Sequence, residues 1–250
     1  MKVLLILLGI AISVLQLSAN DAIVPDRPGF STATQTVKPH ITNVELGYQY
    51  SYNNHTPQQS SQTLPQMVLR TGISDSAEVD LLWDGINIDK EDGSETLHSK
   101  ADLSIGGKYK LIENDDYHLT TIGILSLPTG SSPSTSGSTD PLVGLLWDYS
   151  LSEDNTLFGT VQASSSTIDQ NRVYDERFSI GTSFAHTDSL SSFVEFFTIM
   201  PSESSLHDIK TVDCGMAYLL TNDIQLDFSV GFGLNKYSSN FIGFGIATRF

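Results

Sequence analysis

Glu45 stands between Val44 and Leu46, Arg70 follows Val68 and Leu69, and Glu78 and Asp80 alternate with Val79 and Leu81. Asp84, Lys100, Asp102, Lys108 and Arg177 recur in the same way, and Glu195, Asp213, Asp227 and Arg249 each sit beside apolar neighbours. Lone ionised groups at alternate positions line one face of a strand, because successive strand side chains point to opposite sides. Two kinds of chemistry suit them. A basic residue such as Arg70, flanked by Glu45 and Glu78 on adjoining strands, suits charge-assisted pairs that stiffen a wall and fill its interior. Carboxylates turned towards an enclosed space suit a selectivity zone that favours cations and turns anions away.

Alternation extends over the rest of the chain. About twelve segments of about ten residues read as strands separated by turn chemistry. They fall near 42–53, 62–73, 76–84, 99–111, 117–127, 140–150, 155–165, 175–186, 189–200, 208–220, 222–234 and 240–250. In the first, Val44, Leu46, Tyr48, Tyr50 and Tyr52 share one face, and Glu45, Gly47, Gln49 and Ser51 the other. Tight connections near 74–75, 113–116, 152–154, 187–188 and 221–222 alternate with longer polar ones near 54–61, 85–98, 128–139, 166–174, 201–207 and 235–239. Short turns at one end and long loops at the other predict an all-β fold: a transmembrane antiparallel up-and-down β-barrel of about 12 strands. Cost then decides which face meets lipid, since Arg or Lys at the bilayer midplane costs about 2–4 kcal/mol. The charged face therefore points to the lumen, and Tyr50, Tyr52, Trp83, Tyr109, Trp147, Tyr149 and Tyr218 gather near strand ends as interface belts.

Residues 1–19, with Lys2 before an apolar run that closes on Ser18 and Ala19, have the layout of a secretory signal peptide. Residues 20–41 form a polar lead segment, which either hangs in the periplasm or folds into the lumen as a plug with Arg27 on an interior carboxylate. Residues 42–250 make the barrel. The formal net charge of −16 argues against nucleic acid as a partner and makes anion transport less attractive than that of cations or neutral solutes. A lone cysteine, Cys214, excludes internal disulfides and Cys-rich zinc sites. Asp89, Glu91, Asp92 and Glu95 lack the ordered spacing of a Ca²⁺ loop, so no metal is expected, and the 85–98 stretch reads as a solvated acidic loop. The Ser/Thr/Gly-rich 129–139 stretch reads as a flexible outer loop. No cofactor motif is present in the sequence.

The strand that ends on Phe250 resembles the terminal strand of bacterial outer-membrane barrels, in which the last aromatic is part of the signal read by the insertion machinery. Asp26-Arg27-Pro28-Gly29-Phe30-Ser31, Glu45, Arg70 before Gly72, and Glu78 resemble, in order, an outer-membrane family of MetA-pathway phenol-degradation transporters. Leu127-Pro128-Thr129-Gly130, Glu195, Gln225-Leu226-Asp227 and Arg249-Phe250 continue that resemblance over nearly the whole chain after residue 19. It implies an outer-membrane channel or transporter for small solutes, whether cationic, neutral or aromatic, with lipid, the insertion machinery and the solute as partners. Two alternatives stand beside it. One is a closed barrel with structural or adhesive loops. The other is a lipolytic enzyme, disfavoured because none of the six histidines is followed two residues later by a serine on the same face. No catalytic residue is therefore assigned, and the oligomeric state is left open.

Overall fold

In hydrocarbon every backbone N–H and C=O must find a partner, which leaves an alternating-strand chain only a closed sheet. The computed structural model describes residues 22–53, 57–168 and 171–250 and has such a sheet. The expected signal peptide lies outside the described residues. The strands are β1 Thr42–Asn53, β2 Gln59–Ser74, β3 Ala77–Trp83, β4 Ile86–Glu91, β5 Leu97–Lys100, β6 Leu103–Glu113 and β7 Tyr117–Leu127. They continue as β8 Asp140–Ser150, β9 Asn155–Ile168, β10 Asn171–Ala185, β11 Leu190–Pro201, β12 Ile209–Thr221, β13 Ile224–Gly233 and β14 Asn240–Arg249. Twelve of them close an antiparallel barrel, because β1 pairs with both β2 and β14. At that seam Thr42 N donates to Phe250 O (3.1 Å) and Phe250 N to Thr42 O (2.9 Å), so the last residue helps to close the wall.

The outer face is apolar: Leu46, Val79, Ile105, Val143, Val161, Val194, Phe228, Phe244 and Ile246 are exposed. Glu45, Arg70, Glu78, Lys108, Glu195, Asp213 and Asp227, on the opposite parity, are buried. The polar side of each strand therefore faces inward. Burying ionised groups in this way is tolerable only where they pair or are hydrogen-bonded.

Two stretches expected to be loops are partly strand. Within 85–98, β4 and β5 form a hairpin that prolongs the barrel wall outward. β4 pairs with the outer half of β2 (Leu64↔Ile86 to Gln59↔Glu91), while β3 pairs with the inner half. Gly85, at φ 64, sits at the break between β3 and β4 in a backbone region that L side chains rarely adopt. Around 166–174, β9 and β10 run on to Ile168 and from Asn171, paired as Asn171↔Ile168. Outside the bilayer both faces of a strand meet water, so its sequence loses the alternation that identifies it. The 128–139 loop is also tied down. Asn87 Nδ2 donates to Ser134 Oγ (2.8 Å), Ser99 Oγ lies 2.6 Å from Ser134 Oγ, and Asp102 accepts from Gly130 N (2.8 Å) and Thr135 Oγ1 (3.0 Å).

Candidate functional site

Residues 22–41 run inside the barrel. Ile23 N bonds to Asn222 O in a tight turn (2.8 Å), so the segment starts at the short-turn end. It returns there through Pro39, bridged to Gly72, and His40, whose N donates to Gly72 O (3.1 Å). Its backbone has no strand or helix ladder of its own, so its N–H groups need acceptors from elsewhere. The lumen carboxylates supply them. Glu45 accepts from Asp26 N (3.0 Å) and Arg27 N (3.2 Å), Glu195 from Phe30 N (2.9 Å) and Ser31 N (3.1 Å), and Glu78 from Val37 N (2.5 Å). Ser31 Oγ adds a bond to Glu195 (2.5 Å) and touches Ser179 Oγ. Hydrogen bonds to an ionised acceptor are worth about 1.5–3 kcal/mol each, more than neutral ones.

Arg70 is the hub of this arrangement. Its Nε and Nη2 donate to Glu78 (2.9 and 3.2 Å), and Nη1 lies 3.3 Å from Glu45 and 3.1 Å from Asp26. The guanidinium also donates to the segment's Val24 O (2.9 Å) and Gln35 O (2.8 Å). Lys108 completes the cluster with a bond to Asp26 Oδ1, a contact to Glu78 (3.5 Å) and a bond to Ala33 O (2.9 Å). Side chains of Arg70 and Lys108 are 1% and 0% exposed, so this cluster is shielded from the screening that weakens surface ion pairs. Asp26 is held below its ordinary carboxyl value of 3.8: burial pushes it up, but Arg70 and then Lys108 beside it outweigh burial.

Further along, Arg27 lies against the wall between Asp227 and Gln66 and bonds to both. Phe30 stacks face to face on Phe197, centroids 4.2 Å apart. Thr34 bonds to Asp148, whose other oxygen lies 2.6 Å from His118 Nδ1. Thr120 Oγ1 donates to Thr34 O (2.6 Å).

The residues singled out from sequence thus divide into groups. Glu45, Arg70, Glu78 and Lys108 meet at Asp26, while Glu195 and Asp227 each hold another part of the segment. Asp80 and Asp213 face the lumen outside these bonds. Asp213 lies opposite Glu195, with both carboxylate oxygens buried and without a hydrogen-bond partner among the described residues. Arg249 is at the short-turn rim, bonded to Asp223 (2.6 Å), and Asp102 is at the outer rim. Arg177 pairs with Asp175 (2.6 Å).

Sequence reasoning missed Thr34, Thr120, His118 and Asp148, which come from three separated stretches and carry no common motif. It also missed a His–Ser pair across the β10–β11 turn, His186 Nε2 to Ser192 Oγ (2.7 Å). Among the described residues no group of His, Cys, Asp and Glu is arranged to hold a metal ion.

The segment lines one cavity of about 590 Å³ at the short-turn end, beside Asn43, Lys110 and Arg249, and two more cavities lie further along the lumen. At the long-loop end a polar vestibule of about 460 Å³ is lined by Thr63, Gln66, Asp84, Asn87, Asp102 and Asp140 among others. Between the segment and β7–β13 lies a cavity of about 370 Å³, bordered by Pro25, Pro28, His118, Asp148, Phe158 and Phe193.

A closed sheet with an apolar outside and a charged interior defines the class: a β-barrel of the bacterial outer-membrane type. The sequence profile of the family described as "Putative MetA-pathway of phenol degradation" matches residues 25–250, and the chain belongs to that family. Its fold is similar to the COG4313 outer membrane channel from Pseudomonas putida F1, with 12% identity, a TM-score of 0.71, and coverage of 90% of this chain and 99% of that one. It is also similar to the KdgM porin (9% identity, TM-score 0.52, 82% and 98% covered). The translocator domain of autotransporter NalP from Neisseria meningitidis is a third (9% identity, TM-score 0.55, 84% and 88% covered). No curated protein matches the chain by sequence.

Proposed function

We propose that this barrel is a passive outer-membrane channel for small cationic or neutral solutes, and that residues 22–41 are its plug. One observation carries the reading: the lumen carboxylates Glu45, Glu78 and Glu195 are engaged with backbone amides of the lead segment. A barrel interior that served only to fill space would satisfy its charges from its own wall. Here the wall's charges hold a separate strip of chain, tethered at both ends to the short-turn side, across the path a solute would take. The likeness to an outer membrane channel and to the KdgM porin supports a transport role, and the family's phenol-degradation description keeps aromatic solutes among those to be tried.

The test is single-channel current of the refolded barrel across a salt gradient, with and without residues 22–37. Larger, cation-favouring current after the deletion supports the plug. Equal currents sink it, and silence from both folded proteins points to a sealed barrel with adhesive loops. His186 and Ser192 suggest a second reading, lipid hydrolysis, because their proximity is that of a base and a nucleophile. Among the described residues no carboxylate orients His186, and we place this reading behind transport. Lipid hydrolysis lost in His186→Ala would reverse that order. Phe250 is proposed as the residue read by the insertion machinery; a chain lacking it should fold in detergent but reach the outer membrane poorly.

A further inference from the structure

Four lumen-facing residues lie abreast on adjacent strands: Gln66 opposite Gly47, Gly47 opposite Gly245, and Gly245 opposite Asp227. The paired glycines leave a notch in the wall, with an amide on one side and a carboxylate on the other. Arg27 fills it. A Cβ at Gly47 would overlap Arg27 Nη1, and one at Gly245 would overlap Arg27 Nε and the Asp227 carboxylate. The guanidinium meets only acceptors there. Nε and Nη2 donate to Asp227 (both 3.3 Å), Nη1 to Gln66 Oε1 (3.1 Å), and Nη2 also to Phe244 O (3.1 Å). Acceptors in this plane and a flat glycine floor suit a planar fork of N–H donors and do not suit a compact ammonium.

The notch also communicates with the outside. Gln66 lines the long-loop vestibule, where Asp84 and Asp102 attract cations. Asp227 is fully buried, so its charge needs a cationic partner whenever Arg27 leaves.

We propose that this notch is a binding site for a guanidinium-bearing solute, and that Arg27 occupies it in the resting channel as a built-in surrogate. The proposal rests on the plug reading above, since Arg27 must be displaceable. It narrows the solute from any small cation to one carrying a planar, multiply donating cationic head. Competition between solute and Arg27 would then couple arrival of cargo to release of the segment.

The experiment uses the refolded barrel with its lead segment, the Arg27→Ala variant, and two probes, methylguanidinium and methylammonium chloride. In Arg27→Ala, methylguanidinium should raise the thermal unfolding midpoint saturably, with half-saturation at about tenfold lower concentration than methylammonium. Gly245→Val, which fills the notch, should remove the response in that background. In the unmodified protein methylguanidinium should increase current where methylammonium does not, a measurement available even if Arg27→Ala fails to fold. Equal responses to the two cations, or a response that survives Gly245→Val, would overturn the proposal. The midpoint reports the site and the current reports the plug. A midpoint response without a current change therefore keeps the notch and rejects the plug, and the reverse rejects the notch.

Discussion

Arg70 binds Glu78 through two hydrogen bonds, although the strand register sets Asp80, not Glu78, directly across from it. The diagonal reach brings the guanidinium towards the short-turn end, where Glu45, Asp26 and the backbone of the lead segment converge. Glu78 thereby serves both Arg70 and Val37 N, joining wall to segment. Asp80 is left with a buried oxygen that has no hydrogen-bond partner among the described residues.

Arg70→Ala should therefore do two things together. It strands Glu45, Glu78 and Asp26 with Lys108 as the remaining cation of the cluster, and breaking a buried pair in this way costs about 3–5 kcal/mol. We expect a lower unfolding midpoint and a larger single-channel current, with Arg70→Lys in between because it keeps the charge but loses the fork. If Arg70→Ala leaves both the midpoint and the current unchanged, the hub role is wrong.

Acid should loosen the segment. Asp26 is held below 3.8, because Arg70 and Lys108 outweigh its burial. A depressed carboxyl value contributes docking stability that is present above the ordinary value and lost as pH falls through the lowered one. Lys108, Arg70 and Glu45 face this group, and Glu78 stands behind Arg70 and Lys108. Current should hold steady from neutral pH down to about pH 4 and rise below it. Asp26→Asn should raise the neutral-pH current and shrink the acid step; an acid step of undiminished size in that variant would assign the effect elsewhere.

Ion preference should depend on the outer vestibule. Asp102 is engaged by Gly130 N and Thr135, and Asp140 is paired with Arg172 (2.6 Å). Asp84, in the same vestibule, is in neither of these pairs. Asp84→Asn should move the reversal potential in a salt gradient towards zero, while Asp102→Asn should mainly disturb the 128–139 loop. The opposite ranking of the two variants would move the selective charge to Asp102.

The barrel was legible because its solvent imposes a period of two. Val44, Leu46 and Tyr48 against Glu45 and Gly47 could only be a strand between lipid and lumen, and the alternation of short and long connections gave the strand order. β4 and the ends of β9 and β10 were not legible. There water bathes both faces, and Asp89, Lys90 and Glu91 read as loop although Asp89 and Lys90 stand opposite Ser61 and Ser60 in the antiparallel register of β4 on β2.

Sequence alone determined that Glu45, Arg70, Glu78, Lys108, Glu195 and Asp227 face inward, since parity is a local property of each strand. It could leave Arg27 only a choice between periplasm and lumen. Which carboxylate meets which cation, and that the 22–41 segment lies among them, was decided by tertiary structure. Bringing Arg27 to Asp227 joins residues 200 apart in the chain, through the closure of β1 on β14. That closure is a property of the whole sheet, and no single stretch of sequence carries it.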